Sequence, residues 1–396
     1  MNLAILSGSP RLLRNINEKA VLELLLRQGA STRMELESFT GLSKPAMSQL
    51  LRRLETAGLI RRDGEKAGTY GPKAGLWALE PSACYVAGVA VNAHGLDVAI
   101  ADVEGRIIAA LHESRLPHQR YDAGALLLEA LEGAVQLAGL TVSQLDQVAV
   151  GLPGIVDGET GHLRKGRQLP NWEGFDIPAA LMQALGHRRV LVENDVNLVA
   201  IEEAARGAAA GVPAFILLWI GEGVGGGLVL GGKLVRGSTG SAGELGGALV
   251  PDRPDGVVRP AMVEDLLSTA ALSALMAEHG FASGEPTDNL KQAVGDIERH
   301  GPLVEAIAYR IAVSLAGAIG LVDPDMVVLG GEVGVAGGRG LAQHVSAALS
   351  RLPIAIPQIV PGGVGDNAVR AGAVELALEY ARERVFTGGS AARGLP

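Results

Sequence analysis

The chain has 396 residues with 34 Lys and Arg against 43 Asp and Glu, 48% hydrophobic and 3% aromatic residues; that is length for two or three domains and apolar mass for packed cores, which excludes a disordered chain. Its single cysteine, Cys84, excludes a disulfide framework and a multi-cysteine metal centre. Apolar runs such as 311–322 and 214–220 read as too short or interrupted for a membrane span, and no leader is readable before Pro10 and Arg11, so the expectation is a soluble, cytoplasmic protein without membrane contact.

Charge is unevenly spread. Residues 1–80 hold 12 basic and 8 acidic groups, a balance of +4, which leaves 22 basic and 35 acidic groups, −13, for the rest. A basic head on an acidic body suits a polyanion-binding module joined to something else.

Within the head, Asn15 to Gln28 places Ile16, Ala20, Val21, Leu24 and Leu25 at helical spacing, and Gly29 ends the run. Thr32 with Glu35 three residues on predicts a capping box opening a second helix, with Leu36 and Phe39 facing inward. Gly41-Leu42-Ser43 makes a sharp turn into a third helix whose buried stripe is Met47, Leu50, Leu51 and Leu54. This is helix-turn-helix spacing. Ser43, Lys44, Ser48, Gln49 and Arg52 are then the candidate DNA contacts, since they supply donors for base edges and phosphates. A three-helix bundle used only for docking would share these helices, but strands at Leu59–Arg62 and Leu76–Leu79 flank a loop carrying Lys66 and Lys73, which favours a DNA-binding wing.

After Pro81 the pattern changes to a body of α/β type. Tyr85–Asn92, Leu96–Val103 and Arg106–His112 are three apolar runs joined by tight turns, and a similar trio returns at Ala214–Ile220, Val224–Leu230 and Lys233–Arg236. Two such sheet starts, each followed by helical segments, predict a duplicated α/β body. Helices are expected at Gly124–Ala138, Val196–Ala209, Val263–Glu278, Pro302–Ile319 and Asn367–Arg384, before a flexible tail from Thr387 to Pro396. Five glycines crowd Gly221–Gly227; such a turn either brings bare amides to a phosphate or merely bends a sheet. Val190–Asn197 reads as a buried strand ending in Glu193, Asn194 and Asp195, where open α/β sheets bind ligands. There Asp195 is placed as a general base on a hydroxyl, or as the cap of a helix starting at Val196, or both.

These segments resemble the ROK family of repressors and sugar kinases, in the actin-like ATPase clan. The carriers are Gly41–Ile60, Gly151–Asp157, Leu169–Pro178, Val192–Asn197, the Gly221–Gly227 hairpin, Gly237–Gly246 and Pro324–Gly331. The resemblance implies a winged helix-turn-helix over residues 1–80, and a two-lobed sugar-kinase-like body over 81–386. It also implies sugar contacts from Gly154, Asn171, Asn194, Asp195, Glu244 and Glu264, because carboxylates and amides each satisfy paired hydroxyls.

Three departures bear on activity. Where family kinases carry an Asp and a Gly-Gly-Thr turn for metal and ATP phosphates, this chain has Gly88–His94 without the acid or the glycines. Glu222 stands where the second phosphate hairpin carries Thr, a repulsion on the order of 1–4 kcal/mol at ~4 Å from a phosphate. The family's structural zinc uses a His and three Cys; here the His position is Gly247, and Pro251–Pro260 holds no Cys. The reading is therefore a transcriptional regulator, with repression as the default direction. It binds operator DNA and senses a sugar or sugar derivative, with no cofactor, no metal and no catalytic residue beyond a vestigial Asp195. A homodimer or homotetramer is expected, in which ligand changes the lobe angle and the spacing of the DNA-reading helices. An active ATP-dependent sugar kinase with a DNA-binding headpiece, and a ligand-independent regulator, are the rivals.

Overall fold

A computed structural model describes residues 10–66, 74–114, 122–157, 160–165, 169, 172, 174–185, 190–252, 259–281 and 283–388. The expected sites Lys73 and Asn171, and the tail from residue 389, lie outside them. Packing divides the chain into two compact units: Met1–Val150 with Asp176–Leu191 and Ala373–Pro396, and Gly151–Phe175 with Val192–Gly372.

The head of the first unit is built as its sequence pattern dictates. Helices Pro10–Gln28, Arg33–Thr40 and Lys44–Thr56 precede strands Ile60–Lys66 and Ala74–Leu79, which pair antiparallel. Val21, Leu25, Leu36, Met47, Leu50, Leu51 and Leu54 are each at most 2% exposed, so one apolar stripe per helix makes the core. Thr32 forms the expected capping box with Glu35, and Gly41 ends the second helix at φ +71°, a left-handed position that suits glycine. Two inward assignments are corrected. Phe39 is 53% exposed and Ile16 53% exposed, while Leu22 is fully buried. The eight-residue second helix reaches its neighbours only along the line of Leu36, and the first helix begins at Pro10 rather than Asn15, leaving Ile16 in an exposed turn.

The expected duplication is present. One five-stranded sheet runs in the order Val190–Asn194, Leu145–Leu152, Tyr85–Asn92, Gly95–Asp102, Ile107–Ser114. The other runs Gln358–Pro361, Met326–Gly330, Phe215–Ile220, Val224–Leu230, Lys233–Leu234. In each, three consecutive strands form a meander and two later strands extend the first. In the second sheet the added strands are parallel.

The second unit buries this sheet on two sides. Leu218, Ile220, Val327 and Leu329 pack among the helices Val263–Leu267, Thr269–Glu278, Ile297–Val322 and Gly331–Leu349. Phe215, Leu217 and Val328 pack against Val196, Val199 and Ala200 of the helix Asp195–Ala205. The helix Ile297–Val322 has the length and apolarity to cross a bilayer, longer than the apolar run alone suggested; Leu303, Ile307, Ile311 and Leu315 spend that apolarity in the core.

Other helix bounds differ from expectation for local reasons. The predicted helix Val263–Glu278 is two, broken at Ser268 (ψ 153°), whose hydroxyl caps the second by accepting from the Ala271 N–H. The last helix spans Ala368–Gly388, running past Arg384 into the expected tail. The helical segment Gly331–Leu349, kinked at Gly338 (φ 52°, ψ −151°), was not among the expected helices. Two of its glycines serve packing: a Cβ on Gly334 would meet the Leu329 carbonyl oxygen at 2.4 Å, and one on Gly340 would meet Val294 at 2.3 Å.

Candidate functional site

Two constellations stand out, one in each unit. In the head, the third helix presents Lys44, Gln49 and Arg52 to solvent; no carboxylate lies within ion-pair distance of Lys44 or Arg52 among the described residues. Ser43 is the cap position, exposed, with no side-chain capping bond. Ser48 is tied within the domain: its hydroxyl donates to the Lys44 carbonyl (2.9 Å) and accepts from Arg33 (3.4 Å). Lys66 lies at the end of the first wing strand, and its ammonium is 2.6 Å from Glu35. With that bond and those from Thr32, the Glu35 carboxyl is pulled down to about 2. The capping carboxylate of the second helix thus also anchors the wing.

The second unit takes up the chain again at Val192, where the end of the strand Val190–Asn194 runs into the helix Asp195–Ala205. Asn194, not Asp195, caps that helix: its Oδ1 accepts from the Asn197 N–H at 3.0 Å, and its Nδ2 donates to the Gly154 carbonyl at 3.0 Å. The helix accordingly begins one residue earlier than expected, and Asp195 is its first residue rather than its cap. One Asp195 oxygen accepts from the Val196 N–H at 2.8 Å. Burial, reinforced by the charge of Glu244, pushes its carboxyl up to about 6. Glu244 is itself raised, by burial and by the charge of Glu264. Five of the six residues expected to contact a sugar are therefore linked: Gly154 to Asn194 by a hydrogen bond, and Asp195, Glu244 and Glu264 by mutual repulsion.

Sequence reading missed the residue that organises this cluster. Glu193 is 5% exposed. Its Oε1 accepts from the Asn194 N–H and the Asn197 amide, both at 2.9 Å, and its Oε2 accepts from Arg236 at 2.5 Å. Asn197, 2% exposed, leaves its Oδ1 without a partner among the described residues. The strand-end position of Glu193 was visible; its partner lies 43 residues away, beyond any local pattern.

The glycine-rich hairpin has a structural explanation. Phe215–Ile220 and Val224–Leu230 pair directly, with Gly221–Gly223 as the turn and the Gly221 N–H donating to the Gly223 carbonyl at 3.0 Å. A Cβ on Gly225 would lie 2.8 Å from Val196, one on Gly226 2.6 Å from the Gly243 carbonyl, and one on Gly227 2.6 Å from Ala200. Three of the five glycines thus let the Asp195–Ala205 helix and the Gly243 segment lie on the sheet. Gly223 and the exposed Glu222 form the open tip. Leu249–Asp252 and Arg259–Met262 pair antiparallel on either side of 253–258, after the exposed Gly247.

Comparison with known proteins accords with this architecture. The ROK family model matches residues 86–380, and the MarR family model matches residues 14–68. A glucokinase of Halalkalibacterium halodurans is 26% identical over 69% of this chain and 87% of its own. The DNA-binding transcriptional dual regulator NagC of Escherichia coli is 24% identical over 82% of each chain. In the solved structure of a ROK family transcriptional regulator described as a homologue of the E. coli MLC protein, the fold agrees over 96% of this chain and 98% of that one, with a TM-score of 0.73 at 20% identity. A winged helix and a duplicated, sugar-kinase-like α/β body in one chain, each matched by its own family model, place this protein in the ROK family, among the members that carry an N-terminal DNA-binding domain.

Proposed function

We propose that the protein is a transcriptional regulator whose winged helix binds operator DNA and whose body senses a sugar or sugar derivative without phosphorylating it. The observation that carries the DNA half is the third helix of the head, Lys44–Thr56, anchored in its core and presenting Lys44 and Arg52, which have no carboxylate partner among the described residues. The sensing half is supported by Asn194, Asp195, Glu244 and Glu264, a set of acceptors in which burial first, and neighbouring carboxylates second, raise Asp195 and Glu244. Hydroxyl donors of a sugar would satisfy those acceptors. Relatives named as N-acetylglucosamine and xylose repressors support the same ligand class and the repressing direction. The mechanism is a population shift: ligand binds one conformation better, and the two conformations differ in DNA affinity. Pairing of half-sites makes a homodimer or homotetramer the expected species.

The likeness to a glucokinase favours one rival, an active kinase. Against it stand the absent acid and glycines at Gly88–His94, and Glu222 at the tip of the hairpin. Incubation with ATP, magnesium and a hexose panel separates the two. No turnover is expected; turnover abolished by Asp195→Asn would establish the kinase instead. Thermal-shift screening of sugars and phosphosugars tests the sensor, and genome-wide mapping of bound DNA identifies operator and effector together. A protein indifferent to every sugar would be the ligand-independent regulator.

A further inference from the structure

We propose that Arg62, seated on Trp77 at the root of the wing, and Arg52 of the third helix together form a seat for a DNA backbone phosphate. The inference rests on the DNA-binding reading and adds to it a residue that the helix-turn-helix pattern does not assign.

Several cations of the head are already spent among the described residues. Lys66 is held by Glu35 at 2.6 Å, Arg53 by the buried Glu18 at 2.9 Å, Arg61 by Asp63 at 3.2 Å, and Arg33 by Glu37 at 3.0 Å. Arg62 is different. Its guanidinium carbon lies 3.6 Å from the centre of the Trp77 ring, and Trp77, its cross-strand partner, is only 4% exposed. Gly75 leaves room beside it: a Cβ there would come within 3.2 Å of Arg62 Nη1. Among the described residues its ion-pair partner is Glu55, which stands off at 3.8 Å. Stacking on the indole fixes the plane of the guanidinium, so its donors are oriented before any ligand arrives and little side-chain entropy is lost on binding.

What Arg62 faces is a concavity of about 560 Å³, bordered by Arg33, Ser48, Arg52, Glu55 and Trp77, between the third helix and the wing strands. With Arg33 balanced by Glu37, Arg52 and Arg62 against Glu55 leave the lining with a net positive charge. It adjoins the helix face that presents Lys44 and Gln49, so a duplex read by that face brings its backbone to this wall. The occupant that fits by charge and by continuity with that face is a backbone phosphate, held by the forked donors of Arg62 and the charge of Arg52.

A phosphate contact is independent of base sequence, so the test needs no operator. The full-length protein is titrated with one fixed 30-base-pair duplex between 50 and 200 mM salt, followed by fluorescence anisotropy. Arg62→Ala should weaken binding at 50 mM and shrink the log K against log salt slope by about 1, so that ~4-fold of the wild-type loss between the two salts disappears. Arg62→Gln, which keeps the stem over Trp77 and removes only the charge, should do the same, and it serves if the alanine variant is poorly folded. Arg62→Lys should keep the slope and lose affinity. Arg61→Ala, whose partner is Asp63, should leave the slope at the wild-type value. Wild-type slope and affinity in both Arg62→Ala and Arg62→Gln would overturn the phosphate seat while leaving DNA binding intact. A wild-type protein that binds no duplex at 50 mM salt would overturn both readings.

Discussion

Asp195 is held at a cost. Its carboxyl titrates near 6 against an ordinary 3.8, so its ionisation in the folded state opposes folding by roughly 3 kcal/mol at neutral pH. The folded state binds this proton more tightly than the unfolded chain, so wild-type stability should rise as pH falls from above 6 towards 4. Asp195→Asn removes the penalty; in denaturant unfolding it should be the more stable protein at pH 8, with the advantage shrinking to nothing near pH 4. Glu203 shows the opposite economy. It is fully buried, and its two oxygens accept from the N–H groups of Ala208 (2.7 Å), Gly363 (2.8 Å) and Val364 (3.3 Å). Glu203→Ala strands those donors and should cost about 3 kcal/mol or more, read as a lower denaturation midpoint. Asp195 was legible in the sequence because a polar residue closing an apolar strand marks a ligand-facing edge. Glu203 was not, because two of its three partners, Gly363 and Val364, lie 160 and 161 residues on and nothing near it in the chain announces them.

Elements were legible where local rules set them. Thr32 and Glu35, the Gly41 turn and the Met47–Leu54 stripe specified the head, since caps and period act within a few residues. Thr32→Ala should cost about 1 kcal/mol by loss of the capping bond. It should also loosen Lys66, because Glu35 serves the cap and the wing at once; a Thr32→Ala, Lys66→Ala double-mutant cycle should show coupling between the two. Elements were illegible where tertiary packing overrode composition. The glycine-laden helix Gly331–Leu349 forms because Leu329, Leu341 and Val294 need close approach, a fact about neighbours rather than about the segment. The helix Pro286–Gly295 and the added strands other than Val190–Asn194 likewise carry weak local signals, and the sheet order settles them only at long range.

At the scale of the molecule, the DNA-binding head belongs to the same compact unit as the first sheet. Within that unit Lys19 of the first helix meets Glu383 of the last at 2.5 Å, and Arg382 of the same last helix donates to the Val103 carbonyl at 2.9 Å. An exposed pair such as Lys19–Glu383 adds less than 1 kcal/mol of stability. Lys44→Ala and Arg52→Ala should each weaken operator binding at fixed salt without lowering the melting temperature; unchanged affinity in both would remove the third helix from the interface. A sugar at 100 times its dissociation constant should stabilise the full chain by about 2.7 kcal/mol, measured as a melting shift that Glu244→Ala abolishes. The two-lobed plan was legible because the meander repeats, whereas the glycine hairpin left its purpose ambiguous. The structure assigns Gly225, Gly226 and Gly227 to the fit between helix and sheet. Packing holds those positions whether or not a chain of this fold transfers phosphate, so enzyme and regulator alike must keep them and their presence cannot tell the two apart; the position that packing leaves free is the one at the tip, here Glu222.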